Sequence, residues 1–180
     1  MGLRPAKTFR DGKKVAWARY SRRKPRKSFV KSMPHNALAQ FVMGNPKGTF
    51  EAKAEVLAKE LIMVRDNALK SARQAINKSL EKALPNQYHF RVLVFPHNVI
   101  RENKMIAGAG ADRLQKGMRQ AFGRPTDRAA RLKIGTDLFT VYSYKANAAH
   151  MKMCLVRAMH KISGRYRITI GEPSVVAVAA

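Results

Sequence analysis

Two stretches of this chain carry apolar residues at helical spacing, and together they restrict the folds open to it. From Asp66 to Leu84, the residues Ala68, Leu69, Ala72, Ala75, Ile76, Leu80, Ala83 and Leu84 fall on one stripe, while Lys70, Arg73, Lys78 and Lys82 take the polar face. Asp66 is a candidate N-cap, and Pro85-Asn86 lies beyond the helix end. A second helix is expected over 146–162, with Met151, Cys154, Leu155, Ala158, Met159 and Ile162 on one face and Gly164 near its close. An amphipathic helix must bury its stripe on another element, so the fold needs a surface that accepts both.

Alternating segments supply that surface. Ala52, Ala54, Val56 and Ala58 face one way and Glu51, Lys53, Glu55 and Lys59 the other, which predicts a half-buried strand. An early start of the following helix competes with it, because Ala, Glu, Lys and Leu favour helix. Tyr88–Phe95 is expected as a mostly buried strand, and Arg165–Ile170 as a strand with Tyr166, Ile168 and Ile170 on one face. Ala37–Val42 reads as a short strand closed by the turn at 44–48. Ala129–Ile134 and Leu138–Tyr144 flank Gly135-Thr136-Asp137 as a hairpin. The expected architecture is α+β, with two strand-helix-strand units packed as a helix/sheet sandwich on a mixed sheet, in a single domain over 1–180.

Two segments lie outside that plan. Pro96–Pro125 is too long for an ordinary connection, since loops beyond roughly 12–15 residues are usually functional or disordered. It sets Arg101, Lys104, Arg113, Lys116, Arg119 and Arg124 among apolar residues and the glycines Gly108 and Gly110, so it is expected to reach an anionic partner through a mobile tip that orders on binding. Residues 1–35 form a basic arm, where twelve lysines and arginines stand against Asp11 alone. Within the arm Arg4, Lys7, Arg10, Lys13, Lys14, Arg19, Arg22, Arg23, Arg26 and Lys27 are candidate phosphate contacts, and Trp17 and Tyr20 candidate stacking residues for RNA. Here composition matters: 36 Lys plus Arg against 11 Asp plus Glu give +25 at pH 7, which calls for a densely anionic partner. Nucleic acid is favoured over membrane, because no apolar run approaches the roughly 18–20 residues of a span. No secretory signal is visible at the N-terminus.

Chemistry beyond binding has little local support. Cys154 is the only cysteine, so no intramolecular disulfide is expected, and the histidines at 35, 89, 97, 150 and 160 are too scattered for a zinc site. Cys154 sits on an apolar helix face as a structural thiol, and the acidic residues are not paired as catalytic carboxylates would be. His97, at the loop entrance, is expected in a structural hydrogen bond. The run Gly108-Ala109-Gly110-Ala111-Asp112-Arg113 resembles a phosphate-cradling turn, but Arg113 stands where a dinucleotide fingerprint needs its third glycine. An RNA-modifying or nucleotide-binding enzyme is therefore the alternative function, and a DNA-compacting basic protein a third.

Three blocks carry a family resemblance: Gly2–Arg10 (GLRPAKTFR), Phe95–Met105 (FPHNVIRENKM) and Gly108–Gly123 (GAGADRLQKGMRQAFG). On them the chain resembles the archaeal and eukaryotic branch of the large-subunit ribosomal protein L-sixteen (L-ten-e) family over almost its whole length. It lacks the cysteines common in eukaryotic members and ends in the short Ala177-Val178-Ala179-Ala180, which aligns it with the archaeal side. The resemblance implies an α/β-hammerhead fold and a structural, non-enzymatic ribosomal role in the cytoplasm, without cofactor, metal or homo-oligomer. It further implies that arm and body contact large-subunit rRNA, that neighbouring ribosomal proteins are partners, and that the loop around Met105–Arg124 extends toward the peptidyl-transferase region and tRNA.

Overall fold

Both helices form, and the strands divide between two sheets. The computed structural model of the protein describes residues 29–104 and 117–172. Its elements are β1 (Val42–Gly44), β2 (Ala52–Ala58), β3 (Ile62–Arg65), α1 (Asp66–Ala83), β4 (His89–Val92), β5 (Asn98–Glu102), β6 (Arg124–Leu132), β7 (Asp137–Ser143), α2 (Ala148–Met159, entered through a 3-10 turn at Lys145–Asn147) and β8 (Tyr166–Gly171). One sheet has the order β1-β4-β7-β2-β8 and the other β3-β6-β5.

Every neighbouring pair is antiparallel, so the expected mixed sheet is corrected. The crossovers are nonetheless real. β2 and β4 both run antiparallel to β7, which lies between them, so the path β2-β3-α1-β4, with β3 given to the other sheet, is a split β-α-β unit. In the same way β7-α2-β8 skips over β2. The two units interleave, each helix joining parallel strands separated by a strand of the other unit.

The alternation in β2 is borne out residue by residue, with Ala52, Ala54, Val56 and Ala58 buried and the intervening side chains half-buried. Through the register these four share a face with Phe139 and Val141 of β7 and with Phe90 and Val92 of β4. The stripes of the helices, Leu69, Ala72, Ile76 and Leu80 of α1 with Met151, Cys154, Leu155 and Ala158 of α2, complete one buried cluster with these strands. A smaller cluster of Met63, Ile100 and Ala129 holds the three-stranded sheet.

Four further expectations are corrected. Strand structure begins at Val42, and the run before it is extended chain in which Leu38 is buried and Asn36 makes a local side-chain turn. Beyond His89, Tyr88–Phe95 is buried on one side only: Arg91, Leu93 and Phe95 are exposed. Asp66 is not the N-cap but the first helical residue, its carboxylate accepting from the backbone N–H of Asn67 (2.8 Å) and of Ala37 (2.9 Å). The hairpin does not form. Gly135 does turn the chain, at φ +80°, but its N–H donates to Ala58 O and the turn passes the chain from β6 in one sheet to β7 in the other.

His89 lies on the side of β4 away from Phe90, 1% exposed, with its ring against Tyr142 at 5.8 Å. Burial, reinforced by the nearby Arg91, holds its imidazole below the ordinary value. Protonation is then easier in the unfolded chain, so the stability His89 contributes is complete above about pH 6.5 and is lost as pH falls from there toward the folded value. Urea unfolding midpoints should fall between pH 7 and 5.5, and His89→Gln should flatten that slope. An unchanged slope would assign the pH dependence to other groups.

Candidate nucleic-acid interface

The rim from which the long basic segment leaves is built by β5 and β6. What the sequence presents as one loop over 96–125 begins with a strand, because Asn98–Glu102 pairs with β6 in the register Asn98↔Ala129 to Glu102↔Arg124. The register shifts between Ile100 and Arg101, a bulge that leaves Thr126 without an opposite partner, and the Thr126 hydroxyl donates to Ile100 O at 3.3 Å. On β5, where the chain runs without an extra residue, Val99, Ile100 and Arg101 are buried in succession, so both sides of the strand are covered.

Arg101 is consequently turned inward, 2% exposed, and the outward reach expected of it is corrected. Its guanidinium donates to Phe122 O and sits 4.4 Å from the centre of the Phe122 ring. Asn103 Nδ2 donates to Gly117 O at 3.2 Å, which closes the base of the excursion. Gly123 is held at φ +74°, and a Cβ there would come within 2.7 Å of Met118 Sδ, so this corner accepts only glycine without strain.

Electrostatics at the rim follow from one buried arginine. Arg65, at the end of β3, lies 3.6 Å from Glu102 of β5 and 3.7 Å from Asp127 of β6. The side chains of Arg65 and Glu102 are only 6% and 13% exposed. Glu102, which would weaken anion binding, is thereby drawn beneath the surface and Asp127 is held half-buried, while Lys104, Arg119 and Arg124 are exposed at the root of the excursion. Met105, Gly108, Gly110, Arg113 and Lys116 lie outside the described residues, as does the glycine-rich turn at 108–113.

The candidate arm residues Arg4, Lys7, Arg10, Lys13, Lys14, Trp17, Arg19, Tyr20, Arg22, Arg23, Arg26 and Lys27 are likewise outside the described residues. The segment that follows them is anchored. Val30 is buried, Arg128 Nε donates to Pro34 O at 2.6 Å, and Asp66 accepts from Ala37 N–H. The segment from Val30 to Ala37 is thus fixed beside β6 and the start of α1, on Arg128 and Asp66, the residues next in sequence to Asp127 and Arg65.

Other candidates fall into structural places. Cys154 is buried and its thiol donates to Ser79 Oγ at 3.1 Å, tying α2 to α1 as expected of a structural cysteine. His97 is exposed and lies against the ring of Phe95 at 4.7 Å. Among the described residues no group of three or more His, Cys, Asp or Glu is placed to hold a metal, and no helix is long and apolar enough to cross a membrane. Reasoning from sequence missed Arg65 and Asp127, whose pairing requires three strands to meet. It also missed a cationic groove between the helices, for which the only local signal was the lysines on the polar face of α1.

Comparison with known proteins gives this geometry a family. Residues 17–169 match the model of ribosomal protein L16p/L10e. The large ribosomal subunit protein uL16 of Hyperthermus butylicus is 44% identical over 146 residues, covering 81% of each chain. That of Thermofilum pendens is 40% identical over 173 residues, covering 96% of this chain and 99% of its own. That of Methanococcus aeolicus is 36% identical over 173 residues, 96% of each. The chain belongs to the ribosomal protein L16p/L10e family of the large ribosomal subunit, on its archaeal side.

Proposed function

We propose that this protein is a structural constituent of the large ribosomal subunit that binds large-subunit rRNA through its arm and body and directs the excursion rooted on β5 and β6 toward tRNA near the peptidyl-transferase centre. The observation that carries the reading is the division of charge at the rim, with Glu102 and Asp127 drawn inward by Arg65 and with Lys104, Arg119 and Arg124 outside. A surface prepared in this way docks on phosphate with release of counterions. The body acts as an α/β-hammerhead scaffold within a single domain, and arm residues from Arg4 to Lys27 neutralise rRNA phosphates, with Trp17 and Tyr20 stacking on bases. Arg113 and Lys116 extend the cationic line of the excursion beyond Lys104. Neighbouring ribosomal proteins complete its surroundings in the cytoplasmic ribosome, and the protein itself contributes no catalytic group, cofactor site or self-association.

The test is filter binding of the full chain to large-subunit rRNA and to random duplex DNA at physiological salt. The rRNA should bind more tightly by at least about tenfold, with an affinity that falls steeply as salt rises. Equal affinity for the two nucleic acids would replace the ribosomal role with generic polyanion binding.

A further inference from the structure

On the outer side of the helices, α1 and α2 border a groove of about 760 Å³ whose lining includes none of the described rim residues. Lys78 and Lys82 reach it from α1, and Arg157 and Lys161 from α2 and the turn after it; among the described residues no carboxylate lines it. All four cations are exposed.

Their spacing is informative. Lys78 and Lys82 are four residues apart on α1, where like charges on a helix surface repel, and Lys161 follows Arg157 just beyond the end of α2. Packing the helices together then brings the two pairs of cations to one groove. Cations near a helix C-terminus are favoured by its dipole, which accounts for Lys82 and Arg157 singly but not for four cations meeting with no counter-charge among the described lining residues.

Arg157 is positioned rather than loose. Its Nη1 donates to Ser79 Oγ at 3.2 Å, and Nη2 lies 3.8 Å from Met153 Sδ. A guanidinium carries five N–H donors in a planar fork, so this anchoring leaves donors to take phosphate oxygens in a fixed orientation. Met153, 45% exposed, and Ala83 give the groove an apolar part against which a ribose can lie.

We infer that the α1–α2 groove binds the phosphodiester backbone of an RNA strand, forming a second RNA contact on the face away from the five-stranded sheet. The inference rests on the rRNA-binding reading above and adds to it a surface and four residues. With rRNA on both the rim and this groove, the protein bridges two RNA segments instead of lying on one.

The experiment compares the full-length chain with the variant Lys82→Ala/Arg157→Ala/Lys161→Ala in binding to large-subunit rRNA over a series of salt concentrations. Each phosphate contact contributes about 0.7–0.9 to the slope of log affinity against log salt, so the variant should lose about 2–3 from that slope and bind more weakly. Lys82→Arg/Lys161→Arg, which keeps the charge, should bind as the parent does. Circular dichroism melting controls for folding. The triple variant relieves repulsion in the groove but also removes the hydrogen bond from Arg157 to Ser79; should its melting temperature fall, the single variant Lys161→Ala, with an expected slope loss of about 0.7–0.9, decides in its place. A parent-like slope and affinity in a folded variant overturns the groove assignment and leaves the ribosomal reading standing, whereas failure of the parent chain to prefer rRNA overturns both. Titration with inorganic phosphate separates RNA from a free anion: saturation at micromolar phosphate, lost in the variant while rRNA binding is unchanged, would reassign the groove to a small ligand.

Discussion

Phe139→Ala should remove about 3–5 kcal/mol of stability, a large share of the 5–15 kcal/mol typical of a folded domain. Phe139 is fully buried on β7, the central strand of the large sheet, where it stands opposite Val56 of β2 and Val92 of β4. Its ring centre lies 5.9 Å from that of Phe90 at an interplanar angle of 51°. The neighbours on β2 include Ala54 and Ala58, which carry too little side chain to collapse into the space the ring leaves. The cavity would therefore persist, and the cost should approach the upper part of the range for large-to-small substitutions. Urea unfolding of the two chains measures it. A loss below about 1 kcal/mol would mean that the helices and the sheet do not share one continuous core.

How much of this was legible in the sequence depended on how local each determinant was. The stripes over 66–84 and 146–162 and the alternation over 52–58 report a single element against one surface, and all three are present. The hairpin over 129–144 rested on a turn signal that is also local and correct, since Gly135 does turn the chain. Nothing local reveals that β6 is already committed to β3 and β5, so the two flanking strands part into different sheets. β5 was hidden for another reason. Sequence patterning treats a charged residue as outward-facing, and Arg101 violates that rule because both sides of β5 are covered and its guanidinium donates to Phe122 O. For the candidate interface, sequence alone identified the basic segments and their excess of charge, while the disposal of Glu102 and Asp127 needed Arg65, more than 30 residues earlier in the chain.

That disposal leads to the second large effect. Arg65→Ala would leave Glu102 and Asp127 without the cation that draws them in. Breaking a buried ion pair from one side costs about 3–5 kcal/mol, and the separations near 3.6 Å together with the 28% exposure of the Asp127 side chain reduce that to about 2–4 kcal/mol. Removing all three charges is a different perturbation. In Arg65→Met/Glu102→Gln/Asp127→Asn no uncompensated ion remains, so at least half of the loss should be recovered, as expected where desolvation rather than attraction dominates. Arg65→Lys should fall between, because a point charge cannot span two carboxylates on separate strands as a planar fork does. The same series separates fold from function. Arg65→Ala releases two negative charges at the root of the cationic excursion and should weaken rRNA binding at low salt, where unscreened repulsion is strongest. The charge-neutral triple variant should bind like the parent wherever both are folded. Equal losses of stability in Arg65→Ala and in the triple variant would reduce the cluster to packing, and unaltered rRNA binding by folded Arg65→Ala would detach the buried carboxylates from the charge of the interface.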